Sequence, residues 1–174
     1  MLVPIDISLA QPSPAPDASQ PEVRATQFDD WHLRCADITT PDGKVVPQCE
    51  VAHVAQVKQD GRDQNIMTLA ISRIPAAEGS AELGMTVLVP LNVFLPAGLV
   101  LSADGQQVAH MSYRNCNQAG CWAAQKLDQK VIDALKKGKA GESRIQLMNG
   151  QTANIGFSLK GLTAAIKALE QTAN

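Results

Sequence analysis

The sequence predicts a mainly β chain folded as a β-sandwich, with two short helices and two disulfides. Three observations carry this reading. From Phe28 onward, apolar and polar residues mostly alternate with period two, the mark of strands with one buried face. Turn dipeptides punctuate these runs at short intervals. Only two segments switch to helical spacing, which is the balance of elements a sandwich requires.

The elements follow in order. Residues 1–27 form a leader ahead of the domain expected over 28–174. Positions 11–27 hold four prolines and almost no large apolar side chain, a solvated and extended composition. Met1 to Ala10 contains Asp6 and lacks a basic stretch, so it is not a complete signal peptide, although Ser8-Leu9-Ala10 has the small-x-small form of a signal-peptide end. Trp31, Leu33 and Cys35 share one face of the first strand. Beyond Pro41-Asp42-Gly43, Cys49, Val51, His53, Ala55 and Val57 share a face of the second. After Asp60-Gly61, Met67, Leu69 and Ile71 alternate with Thr68, Ala70 and Ser72. Val87 to Leu95 is apolar on both faces, as expected of a strand covered on both sides. Leu99 to Leu101 leads into Asp104-Gly105, a strong hairpin signal, and Gln107 to Cys116 returns. Leu127, Val131, Ile132 and Leu135 form a helical stripe, with Asp128 as N-cap and Gly138 as stop. Asn149-Gly150 joins the last two strands. Leu162, Ile166 and Leu169 mark a C-terminal helix.

Composition narrows the function. The formal net charge is −2, which excludes a strongly basic nucleic-acid binder. Aromatics are 3% of the chain, too few for base- or sugar-stacking platforms. No apolar run approaches the ~20 residues of a membrane span. The four cysteines have C-x13-C and C-x4-C spacing, a poor fit to structural zinc and to a C-x-x-C redox motif. Of three connectivities, two local bridges, Cys35–Cys49 and Cys116–Cys121, read best, and they place the chain in an oxidising compartment.

No residue set declares catalysis. His53 lies on an apolar strand face and reads as a hydrogen-bonded core or boundary histidine, while His32 and His110 read as exposed. Metal-ligand spacing and a G-x-S-x-G elbow are missing. Asp29-Asp30 reads as a solvated strand entrance, and Lys126, Lys130, Lys136, Lys137 and Lys139 as the solvent side of a helix. The Cys116–Cys121 loop reads as a structural staple in which Gly120 supplies positive φ, and Trp122 as a core aromatic. The alternative is a thiol-disulfide redox protein or enzyme using that loop. No metal or cofactor is expected.

An ordered set of features goes further. Trp31-x3-Cys35 is followed by Cys49, by Val89-Pro90-Leu91-Asn92-Val93-Phe94-Leu95-Pro96-Ala97-Gly98-Leu99, and by Asp104-Gly105. Tyr113, Cys116-x3-Gly120-Cys121 and Leu127-Asp128 come next, then Ser158-Leu159-Lys160-Gly161-Leu162 with Ala165 and Leu169. This order resembles the invasion-associated locus B family of Gram-negative bacteria over roughly residues 28–170. The resemblance implies an immunoglobulin-like β-sandwich in an exported, periplasmic or envelope-associated protein. The resemblance links the family to host-cell entry without defining its activity; taken with the missing catalytic motifs and the disulfide-stapled sandwich, it favours a non-enzymatic interaction module whose partner is a protein or another envelope component, serving host-cell invasion or envelope maintenance. It carries over no catalytic residues. Trp31, Gly120, Trp122 and Gly161 are then expected to be structural positions.

Overall fold

The computed structural model of the chain describes residues 23–75 and 81–172. In chain order the strands are β1 (Arg24–Phe28), β2 (Trp31–Thr39), β3 (Val45–Gln59), β4 (Arg62–Pro75), β5 (Ala81–Val89), β6 (Leu99–Ala103), β7 (Gln106–Met111), β8 (Tyr113–Asn117) and β9 (Gly120–Lys126). Helix α1 (Gln129–Lys137), strands β10 (Ala140–Gln146) and β11 (Thr152–Ser158) and helix α2 (Leu162–Glu170) complete them. A seven-stranded sheet has the order β1-β2-β3-β4-β5-β9-β8, and a four-stranded sheet the order β11-β10-β6-β7. The two sheets make the expected sandwich.

The period-two pattern explains which faces meet. Val51, Leu69, Ile71, Met85, Val87 and Ala123 of the large sheet are buried, as are Leu99, Leu101, Ile145, Ile155 and Phe157 of the small one. The helices close the core with Val131, Ile132 and Leu135 from α1 and Leu162, Ile166 and Leu169 from α2. Burial of each large apolar side chain contributes roughly 1.5–3 kcal/mol.

Four expectations need correction. The domain boundary at Phe28 is four residues late, because Arg24 to Phe28 pair with β2 as an edge strand. Residues 1–22 of the leader lie outside the described residues. The apolar run Val87–Leu95 is not one covered strand. β5 ends at Val89, and the chain then crosses to the small sheet through a loop with a short 3-10 turn at Leu95–Ala97. Pro90 has no N–H to continue the ladder, which explains why β5 stops at Val89, and Pro96 sits in the 3-10 turn. The return strand Gln107–Cys116 is two strands in different sheets, β7 in the small one and β8 in the large one, with the switch at Ser112. Asp128 occupies the N-cap of α1, but its side chain makes no capping bond.

Asp104 does more than form a turn. Asp104 and Gly105 take positive φ between β6 and β7, as a tight hairpin demands. The Asp104 carboxylate also accepts hydrogen bonds from the Lys139 and Ala140 backbone N–H groups at 2.9–3.2 Å, fastening the start of β10. The Ala140 bond, then the Lys139 bond, holds this carboxyl below its ordinary value. A depressed folded-state pKa gives stability that is present above the ordinary carboxylate value and lost as pH falls through the lowered one. Asp104→Asn should therefore melt below the parent at neutral pH, with the gap closing in acid. A gap independent of pH in paired melting scans would contradict this.

Ser143 is the exception in the core. It sits at 0% exposure between Leu101 and Ile155, and its hydroxyl has no hydrogen-bond partner among the described residues. An unpaired buried hydroxyl costs roughly 1–3 kcal/mol. Ser143→Ala should thus raise stability by about 1 kcal/mol in urea unfolding. A loss of that size would show that the hydroxyl is satisfied.

Candidate functional site

The residues able to do chemistry are placed by the fold, and most have structural partners. Trp31 is fully buried at the start of β2, and its indole N–H donates to the Ser158 carbonyl at 3.0 Å. His53 lies between Trp31 and Phe157, with ring centroids 5.3 Å and 6.2 Å away. Its Nδ1 is 2.7 Å from the Asp30 carbonyl, the boundary histidine expected. His110 Nε2 is 2.9 Å from the Ala97 carbonyl, and His32 is exposed. Asp29 and Asp30 occupy the β1–β2 turn, where Lys160 pairs with Asp29 at 3.2 Å. Gly161 has φ +89°, and a Cβ there would collide with the Phe28 carbonyl. Burial pushes the Tyr113 phenol up to about 12, so it stays protonated at neutral pH.

Both disulfides form as expected. Cys35 and Cys49 are directly opposed on β2 and β3, and Cys116 and Cys121 on β8 and β9. Gly120 takes positive φ, and a Cβ there would strike the Val89 carbonyl, so only glycine lets the β8–β9 tip approach β5. The lysines serve the surface: Lys126 pairs with Glu82 at 2.6 Å and Lys136 with Glu170 at 3.8 Å. Among the described residues, no three His, Cys, Asp or Glu side chains gather as metal ligands, and no helix is long and apolar enough to cross a membrane.

Trp122 departs from expectation. Cys121 and Ala123 point into the core, so Trp122 points to the outer face of the large sheet and is half-buried there. The register sets Val54, Thr68, Leu88 and Trp122 in one outward row. A second row holds His32, Ala52, Ala70, Thr86 and Ala124. On the β1–β3 side of this face is a hollow of about 390 Å³, lined among others by Arg34, Gln48, Glu50 and Ser72. Arg34 donates to Glu50 across it at 2.6 Å.

The most distinctive surface lies at one end of the sandwich. Residues 90–98 and 147–151 pair there, with 117–120 against Val89 and the charged β3–β4 hairpin flanking Pro90 and Ala119; none of the three loops itself contains a charged side chain. Leu91, Phe94, Leu95 and Met148 are 48%, 40%, 48% and 66% exposed. The backbone beneath them is pinned. Val93 bridges Leu147, Phe94 N–H donates to Gln146, Met148 N–H to Asn92, and Leu147 N–H to Gln151. Ala97 and Gly98 donate within the 3-10 turn. This tip holds exposed apolar side chains on a fixed frame with few backbone donors left to satisfy. Sequence reasoning missed it because an apolar run reads as core. The interruptions Pro90, Asn92 and Pro96 were the available signal.

The sequence profile described as Invasion associated locus B (IalB) protein matches residues 31–170. Among solved structures, the crystal structure of invasion associated protein b from Bartonella henselae is similar, with a TM-score of 0.66 and 17% identity over 84% of this chain and 96% of that one. At that identity the likeness speaks for the fold alone. No curated protein matches the sequence.

The two bridges should differ in weight. In the chain-entropy account, closing the 15-residue Cys35–Cys49 loop is worth ~3 kcal/mol and the six-residue Cys116–Cys121 loop ~2 kcal/mol. Paired serine variants at 35 and 49 should lose more stability in urea than those at 116 and 121. The reverse order would mean that folded-state contacts, not loop closure, dominate.

Proposed function

The chain belongs to the invasion associated locus B family, and on that premise we propose that it is an extracytoplasmic, envelope-associated interaction module without catalysis. The observation that carries this reading is the apolar group of tip loops, where Leu91, Phe94, Leu95 and Met148 stand exposed on a hydrogen-bonded frame. In sandwich folds, loops gathered at one end of a rigid scaffold are the usual place for recognition. Two disulfides support residence in an oxidising compartment. The partner is a protein of the envelope or of a host surface, and the family's name favours a part in invasion.

A photo-crosslinking residue placed at Leu95 in native cells tests this. It should give one discrete protein adduct that Phe94→Asp abolishes without lowering the melting temperature. The same residue at Lys130, on α1 away from the tip, should give none. Equal adducts at both positions would sink the reading.

One observation favours a second reading, a thiol-disulfide redox protein: Cys116 is exposed at the end of the β8–β9 hairpin. Catalysed reduction of insulin would support it. A bridge that glutathione leaves intact, with no turnover, would remove it.

A further inference from the structure

We propose that Met148 is a methionine-oxidation site that sets the polarity of the tip loops. Four methionines lie among the described residues. Met67, Met85 and Met111 are 2%, 1% and 1% exposed, whereas Met148 is 66% exposed. The cysteines are all bridged, so no thiol competes for an oxidant. Among the described residues, Met148 is therefore the thioether that a small oxidant reaches without opening the fold. Its backbone is held by the bond to Asn92, one residue from the Val93–Leu147 bridge.

The chemistry is an oxygen-atom transfer from a peroxide. A sulfur lone pair attacks one peroxide oxygen, the O–O bond breaks and an S–O bond forms. The second oxygen leaves as water after proton transfer. The thioether is oxidised by two electrons and the peroxide is reduced by two. The product sulfoxide is polar where the thioether was apolar, and sulfoxide reductases reverse it. At this position the change falls on a side chain more exposed than Leu91, Phe94 or Leu95. The buried methionines are shielded by packing, and oxidant reaches them only through opening of the fold. This site stands whether or not the tip meets a partner, so it goes beyond the binding reading.

The test treats the full chain with hydrogen peroxide under native conditions and maps its tryptic peptides by mass spectrometry. Residues 145–160 form a peptide that carries Met148 alone. It should gain one oxygen atom at least about tenfold faster than peptide 63–73, which carries Met67, and peptide 74–114, which carries both Met85 and Met111, and urea should abolish their protection. The oxidised folded protein should elute earlier from a hydrophobic-interaction column, and Met148→Leu should show neither the gain nor the shift. Comparable native rates at the buried methionines would overturn the proposal. So would an unoxidised 145–160 peptide, or an elution shift that persists in Met148→Leu.

Discussion

The hydrogen bond from the Trp31 indole to the Ser158 carbonyl is the contact on which the arrangement of the two sheets depends. Trp31 opens β2 in the seven-stranded sheet, and Ser158 closes β11 in the four-stranded one, 127 residues later. A buried indole N–H without a partner would cost roughly 1–3 kcal/mol, so the tryptophan is seated only when β11 is in place. The entropy of joining such distant segments is met only once both sheets exist. Neighbouring contacts reinforce the join. His53 packs at a tilt against Trp31, Lys160 O accepts from Asp30 N–H, and Gly161 lets the chain pass against Phe28. Helix α2 starts from that glycine, and Arg73 of β4 reaches its far end at the Thr172 carbonyl.

With the sheets joined there, the inner faces are fixed and the remaining asymmetry of the molecule follows. The small sheet and helices bury one face of the large sheet, while the other keeps small side chains and Trp122 turned outward. The crossover after Val89 must reach from one sheet to the other. Its apolar side chains cannot all enter a core that is already filled, so Val93 is buried and Leu91, Phe94 and Leu95 are not. His53, His110 and the cysteines are drawn into hydrogen bonds, aromatic packing and bridges. The molecule therefore presents shape and apolarity at its tip rather than a convergent set of reactive groups.

Local features were legible in the sequence, and features set by distant contacts were not. Cys35 and Cys49 flank a single turn, and Cys116 and Cys121 another, so their pairing could be read from spacing. The alternation in β3 and β4 announced its own buried face. Trp122 could not be placed, because the Cys116–Cys121 bridge fixes register but not which face of the sheet the core will occupy. The switch of sheets at Ser112 is invisible in a strand-like run, since either sheet satisfies the same pattern. Asp104 looked like a turn residue and nothing more. Its bonds to residues 139 and 140 appear only when β6 and β10 pair.

Hydrogen exchange at the Trp31 indole N–H, followed by nuclear magnetic resonance in the native state, tests the central claim most directly. The account predicts that this proton exchanges only through global unfolding, with the same opening free energy as the slowest core amides of Val51 and Leu69. The half-buried Trp122 indole should exchange far faster. Exchange at Trp31 through a smaller, local opening while those core amides stay protected would contradict the account, because the sheets would then hold together without that bond.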